Sequence, residues 1–262
     1  MRLLLCVAVM LLLAPGAFAA DTQTVIARAR QHIEAANYRA TGKLVTVDGA
    51  GKRISYALKI KACWFPGVLR ALVEIDPPSA AAAHATADRL RLLLEMRPAG
   101  QTTIRIAHPD RKGLAVLPFE RWNEPLFGGA FDYEDLLESQ YYWQNQTVVK
   151  SARFGARDCD VLKSTPGASD RTHYAAVDTW LDRIIGYPVY AEKTLKDGGA
   201  VKEFTYLGLR QNAGVWSASQ VEGRIRGHAG STLLIIERGS AKANLTAADF
   251  SPEKISHFED QP

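Results

Sequence analysis

The chain has 262 residues and a formal net charge of +4, with 47% hydrophobic and 23% charged residues. This composition is typical of a globular protein and excludes a disordered, collagen-like or coiled-coil chain. Lysine and arginine never occur in runs longer than two, so the sequence does not indicate a nucleic-acid-binding surface.

The N-terminal residues predict a secretory signal peptide. A single arginine precedes the apolar run Leu3 to Leu13, and Ala17-Phe18-Ala19 provides a small-residue cleavage motif. The run is shorter than the roughly 20 apolar residues that span a bilayer. Cys6 lies inside the run and would be removed with it. We therefore expect residues 1–19 to be a cleaved signal peptide, and residues 20–262 to form one secreted domain without a lipid anchor.

A helix over residues 21–37 is predicted to open the domain, because Val25, Ile26, Ala29 and Ile33 recur at spacings of three and four. After it the hydrophobic pattern alternates with a period of two, and glycine-rich turn signals separate about eleven strands. Strands are predicted at 44–47, 54–64, 68–75, 89–96, 102–107, 147–154, 159–164, 172–182, 189–195, 201–207, 215–224 and 232–238. Their short connections favour antiparallel neighbours in one continuous, strongly curved sheet.

Two short helical segments are predicted among and after the strands. Asp132 is placed to cap the first, with Glu134 and Asp135 in its first turn, and Ser251 is placed to cap the second, which begins at Pro252. A metal site or an acid pair is the competing explanation for the three acidic residues. Capping explains them with fewer assumptions, so we predict no metal site.

The sequence contains no pattern typical of an enzyme. Its six histidines form no H-E-x-x-H pair, and neither a G-x-S-x-G turn nor a phosphate-binding glycine loop occurs. We therefore predict a protein that is not an enzyme and that needs no cofactor.

Two interpretations remain open for Cys63 and Cys159, the cysteines that follow the signal peptide. In an oxidising compartment they could pair, and closing so long a loop would stabilise the fold by roughly 4–5 kcal/mol. Alternatively, both are small buried hydrophobic side chains. Neither belongs to a C-x-x-C motif, so a zinc site is not indicated.

Three motifs follow one another along the chain. FGGAFDYEDLL spans 127–137, Tyr174-x3-Asp178-x-Trp180-x-Asp182 comes next, and DFSPEKI spans 249–255. In this order they resemble the outer-membrane lipoprotein-sorting family, which is related to the carrier LolA and its receptor LolB. The resemblance implies an α+β fold: an incomplete, strongly curved antiparallel β-barrel with helices on its concave face.

The resemblance also implies a function. It is that of a soluble periplasmic carrier, or chaperone, which binds the acyl chains of lipids or lipoproteins in an apolar cavity and takes part in their transport to the outer membrane. An inner-membrane transporter or an outer-membrane acceptor would be its partner. The alternative is an envelope-stress sensor or interaction module that binds a membrane protein.

Apolar residues of the first helix and of the strands are the candidates for lipid binding, and the first helix is the candidate lid or core plug. Ordinary core packing is the competing explanation for each of them. The candidates are Val25, Ile26, Ile33, Trp64, Leu92, Leu94, Trp122, Trp180 and Tyr206.

Overall fold

The computed structural model describes residues 21–78, 89–98 and 102–258. The predicted signal peptide lies outside the described residues. Two α-helices occur in these ranges, α1 (Thr22–Glu34) and α2 (Pro252–Ser256). Neither of them is long and apolar enough to cross a membrane. The strands are β1 (Asn37–Val47), β2 (Arg53–Phe65), β3 (Val68–Asp76), β4 (Leu90–Met96), β5 (Thr103–Ala107), β6 (Ala115–Val116), β7 (Asn145–Phe154), β8 (Arg157–Thr165), β9 (Tyr174–Asp182), β10 (Pro188–Leu195), β11 (Val201–Leu207), β12 (Arg210–Asn212), β13 (Val215–Ser217), β14 (Gln220–Ile225) and β15 (Ser231–Ser240). Single 3-10 turns lie at Phe119–Arg121, Leu126–Gly128, Glu134–Leu136, Ser139–Tyr142 and Ala247–Phe250.

Helix α1 begins where the sequence predicts and ends three residues earlier. Its predicted apolar stripe is buried in the main core. The helix stops because Asn37 is already the first residue of β1, where it lies opposite Cys63 of β2. At the other end Asp21 is the N-cap, and its side chain accepts a hydrogen bond from the Thr24 backbone N–H at 3.2 Å.

Replacing Asp21 with alanine is expected to lower the free energy of unfolding by about 1 kcal/mol, because the Thr24 N–H loses its acceptor. Urea unfolding followed by circular dichroism measures the difference. The D21S variant keeps a capping oxygen and should stay within about 0.5 kcal/mol of the wild type. Equal losses in D21A and D21S would contradict a capping role.

Thirteen strands form a single antiparallel sheet in the order β6-β5-β4-β3-β2-β1-β15-β14-β11-β10-β9-β8-β7. The order follows the chain except at two places: β1 pairs with β15, with Leu44 opposite Leu234, and β11 pairs with β14. Strands β6 and β7 therefore lie at the two ends of a curved sheet that does not close into a barrel. This confirms the predicted incomplete antiparallel barrel.

The predicted strands differ from the observed ones in three ways. Residues 215–224 form two strands instead of one, because β12 and β13 pair with each other in a separate two-stranded sheet. Strands β6 and β12 are too short for an alternating pattern to mark them. Strand β1 begins at Asn37, well before the predicted start, because its inward positions Ala40 and Gly42 are too small to give a clear alternating hydrophobic pattern. A side chain at Gly42 would collide with the carbonyl oxygen of Ile235 on β15.

The main core lies on the concave side of the sheet, where α1 and the segment 117–142 pack against the inward-facing strand residues. Leu92 and Leu94 of β4 point into it and are fully buried. A smaller cluster forms on the opposite face, where Phe250 and Ile255 cover Leu93. Helix α1 thus covers the concave face as predicted, whereas α2 covers the outer face. The second cover explains why every residue of β4 is buried.

Cys63 and Cys159 are free, buried thiols in the structure. Cys63 belongs to the outer cluster, and Cys159 lies on β8 opposite Asp182. Burial, assisted by the nearby Asp182 carboxylate, raises the pKa of Cys159 to about 11. The thiolate of Cys159 is therefore scarce at neutral pH.

We expect Ellman's reagent to titrate both thiols in protein that lacks residues 1–19 and is denatured without reductant. In the native protein the reaction should be slow, because both side chains are buried and the thiolate is the reactive species. Denatured, non-reduced protein in which neither thiol reacts would show that the two cysteines pair.

Candidate functional site

A cavity of about 460 Å³ opens on the concave side of the sheet, between the C-terminal end of α1 and the β12–β13 hairpin. Its volume lies within the roughly 300–1,000 Å³ that small-molecule sites occupy. Most of its inner wall is apolar. The apolar lining residues include Ala40, Ile60, Ala71, Val73, Leu94, Phe131, Leu136, Phe204, Tyr206, Val221, Leu234 and Ile236.

Strand pairing places these side chains on one surface. Ile60 lies opposite Val73, and Ala71 lies opposite Leu94, so the inward positions of β2, β3 and β4 adjoin one another. Ala40 and Ala71 are small where a packed core would carry large side chains. Their size leaves room for a ligand on an otherwise apolar wall.

The β12–β13 hairpin borders the open end of the cavity. Gln211 lies opposite Trp216, and Ala213 and Gly214 form the turn with φ values of 50° and 85°. Both central residues of the turn thus have positive φ, which is the backbone geometry of a tight two-residue hairpin. All three β12 residues are exposed, so this end of the cavity meets solvent.

A buried ion-pair network lies at the inner end of the cavity. Lys193 Nζ lies 2.9 Å from Asp135 Oδ1, and Lys202 Nζ lies 2.8 Å from Asp135 Oδ2 and 2.5 Å from Asp132 Oδ2. The Tyr174 hydroxyl donates to Asp135 Oδ1 at 2.6 Å. All five side chains are buried, and Asp135 and Lys193 border the cavity.

The two aspartates also cap each other's backbone, as the sequence predicts for Asp132. The Asp135 N–H donates to Asp132 Oδ1 at 2.8 Å, and the Asp132 N–H donates to Asp135 Oδ2 at 3.0 Å. The pair therefore closes the turn at 132–135 and at the same time binds the lysines of β10 and β11. Within the described ranges, no group of three His, Cys, Asp or Glu residues could hold a metal ion.

Burial and the charge of Asp135 raise the pKa of Asp132 to about 8, against the opposing pull of Lys202. Burial acts on Asp135 in the same direction, but Lys193 and Lys202 outweigh it and hold the pKa of Asp135 well below its usual range. The pKa of Lys202 is raised: burial opposes its charge, but the two aspartates stabilise it more strongly. With its pKa at about 8, Asp132 is mostly protonated at neutral pH, so Asp135 is then the carboxylate that faces both lysines.

A second polar pair borders the cavity beside α1. His32 Nε2 lies 2.6 Å from Glu138 Oε2, and the His32 ring packs edge-on against Tyr187 with the ring centroids 4.9 Å apart. Burial tends to raise the pKa of Glu138, but His32 outweighs it and the pKa is lowered. This pair joins α1 to the segment that crosses the concave side.

The structure separates the nine predicted lipid-binding residues into three groups. Leu94 and Tyr206 line the cavity. Six residues pack in the adjoining core: Val25, Ile26, Ile33, Leu92 and Trp122 are buried there, and Trp64 is half-buried against it.

Trp180 forms the third group and lies on the outer face. Val177, Thr179 and Leu181 of β9 are buried toward the concave side, so the alternation of the strand points Trp180 the other way. There it meets Tyr190, with the ring centroids 5.0 Å apart. Trp180 therefore does not line the cavity.

Sequence reasoning missed the two lysines of the network, although the sequence carries a signal for them. Lys202 shares a face of β11 with the apolar residues Phe204 and Tyr206, and Lys193 shares a face of β10 with Val189 and Ala191. A lysine that faces a core needs an acidic partner there. Asp132 and Asp135 of the 127–137 motif supply it.

No curated protein sequence matches the chain. A family model described as "-like: Uncharacterized protein" matches residues 98–257, which is more than half of the chain.

Three solved structures resemble the fold over nearly its whole length. A domain from Vibrio parahaemolyticus, named for outer-membrane lipoprotein sorting, is 19% identical with a TM-score of 0.77, covering 90% of this chain and 96% of that one. A DUF1329 family protein from Desulfovibrio piger is 13% identical with a TM-score of 0.77, covering 89% and 98%.

A LolA superfamily protein from Nitrosomonas europaea is 14% identical with a TM-score of 0.65, covering 90% of this chain and 100% of that one. At such low identity these likenesses concern the fold, which is the one that the motifs at 127–137, 174–182 and 249–255 indicate. The chain belongs to the family of the matching model, and its fold is that of the LolA-like, outer-membrane lipoprotein-sorting proteins.

Proposed function

We propose that the protein is a periplasmic carrier that holds the acyl chain of a lipid or lipoprotein in the cavity and keeps it from water. The apolar cavity of about 460 Å³ inside an open, curved sheet carries this proposal. The LolA-like fold supports it. In this proposal residues 1–19 direct secretion, and the protein exchanges its cargo with an inner-membrane donor and an outer-membrane acceptor.

The energetics of burial suit a carrier. Each buried CH₂ contributes about 0.8 kcal/mol to binding, so ten methylenes contribute about 8 kcal/mol before the unfavourable terms of association are subtracted. Lost translational and rotational freedom offsets about 4 kcal/mol or more of this sum. The net affinity should be moderate, which lets the cargo leave at its destination.

The proposal requires no bond to be made or broken. The ionisable groups that border the inner wall are bound to one another: Asp135 to Lys193, and Glu138 to His32. Because they bind each other, these side chains contribute to the structure of the cavity wall. Shape and apolar area would then select the cargo.

A fluorescent fatty-acyl probe, 11-(dansylamino)undecanoic acid, tests the proposal. Titration into the purified protein should give saturable emission with a Kd in the micromolar range, and palmitate should displace the probe. Mass spectrometry of organic extracts would identify any lipid that copurifies. A protein that neither binds the probe nor copurifies with lipid would overturn the proposed function.

A further inference from the structure

The elements that form the cavity walls differ in how many hydrogen bonds and packing contacts hold them in place. The least firmly held element is the one that can move to let a ligand enter. Most of the walls belong to strands of the large sheet. Strand β1 pairs with β15 and β2 along its length, and β11 pairs with both β10 and β14. Moving such a strand would break two hydrogen-bonded ladders at once.

Helix α1 is also firmly held, although it was the candidate lid. The Arg30 Nε donates to the Tyr141 carbonyl at 2.8 Å, and Arg28 Nη2 donates to the Ile184 carbonyl at 2.9 Å. His32 binds Glu138 at 2.6 Å. The apolar stripe of the helix is buried throughout, with Ala29 fully inaccessible to solvent. Displacing α1 would expose the main core, so it is a core plug.

The β12–β13 hairpin is the exception among the walls. It pairs within itself and lies outside the thirteen-stranded sheet. Strand β12 is exposed, and β13 is half-buried where it contacts α1, yet both border the cavity. Segments with few buried contacts open at the lowest free-energy cost.

The base of the hairpin has the features of a hinge. Gly208 has a φ of 60°, and a side chain there would collide with Ser219. The Ser219 N–H donates to the Leu207 carbonyl at 3.0 Å, which fixes the point where the hairpin leaves β11. Beyond this point the Ala218 N–H donates to the Tyr187 hydroxyl at 3.2 Å. This bond joins the base of the hairpin to the rigid part of the molecule.

We propose that the β12–β13 hairpin is the gate of the cavity, which swings about Gly208 and Ser219 and is held shut by the bond between Ala218 and Tyr187. The inference rests on the proposed function, since an acyl tail is the ligand that passes the gate. Trp216 of β13 borders the cavity and covers the tail when the gate closes.

The Y187F variant tests the gate, because it removes the hydroxyl and keeps the ring. One hydrogen bond is worth about 1 kcal/mol, so the open gate should become about fivefold more populated. Stopped-flow mixing with the dansyl probe should then show association and dissociation rate constants that both rise about fivefold, while the Kd stays within twofold. Y190F is the matched control: Tyr190 lies on the outer face, where its hydroxyl bonds Glu192, and its rates should equal those of the wild type.

Hydrogen exchange gives a second, independent measurement. Amides of residues 210–217 should exchange faster than those of β10 and β11 in the free protein, and should become protected when the probe binds. Normal probe affinity with unchanged rates in Y187F, or with hairpin amides as protected as those of β11, would overturn the gate and leave the carrier function standing. Wild-type protein that fails to bind the probe would overturn both.

Discussion

The K202M variant is expected to lose about 3–5 kcal/mol of unfolding free energy, the cost of breaking a buried ion pair from one side. Lys202 binds Asp132 at 2.5 Å and Asp135 at 2.8 Å, and all three side chains are buried. Without the ammonium group the two carboxyl groups face each other with Lys193 as the remaining cation of the network. Urea unfolding at pH 7, followed by tryptophan fluorescence, measures the loss.

The matched control is K43M, which removes the same charge from an exposed ion pair. Lys43 Nζ lies 2.6 Å from Glu237 Oε1, and the two side chains are 50% and 47% exposed. Exposed pairs contribute about 0–1 kcal/mol, so K43M should unfold close to the wild type. If K202M lost no more stability than K43M, the network would not hold the 117–142 segment to the sheet.

The network also shows where prediction from the sequence ends. Periodicity is a local property, so the stripe of α1 and the alternation of β2 are readable directly. The contact between Asp132 and Lys202 spans 70 residues and depends on the path that the segment 117–142 takes across the sheet. Alternation indicates that Lys202 shares a face with Phe204, but it does not say which carboxylate meets it.

Trp180 shows a second limit of prediction from the sequence. Alternation assigns the residues of β9 to two faces without saying which face is concave. Residues on both faces of β9 are bulky enough to be core residues, since Trp180 lies on one face and Leu181 on the other. The curvature that decides between them arises from the whole sheet. The short strands are a simpler case: β12 has three residues and was missed, and the three-residue β13 was predicted as one strand with β14.

Filling the cavity should abolish most of the affinity for an acyl chain while the fold is retained. Ala71 lies on the inward face of β3, opposite Ala62 of β2 and Leu94 of β4, and it borders the cavity. A phenyl ring in the A71F variant would extend into the open space and displace about three methylenes of the tail. At about 0.8 kcal/mol for each methylene, the Kd for the dansyl probe should rise roughly 50-fold.

The same substitution on the outer face provides the control. Ala57 lies on the neighbouring strand β2, exposed and opposite Asp76, so the A57F ring would point into solvent. A57F should bind the probe as the wild type does, and both variants should keep their circular dichroism spectrum and melt within a few degrees of it. Because an extra ring in a packed core costs about 1–3 kcal/mol, a large fall in the melting temperature of A71F alone would mean that the space is filled by the fold itself. If A71F folded normally and bound the probe as tightly as A57F, the acyl chain would have to lie elsewhere, and the cavity would lose its role as the carrier site.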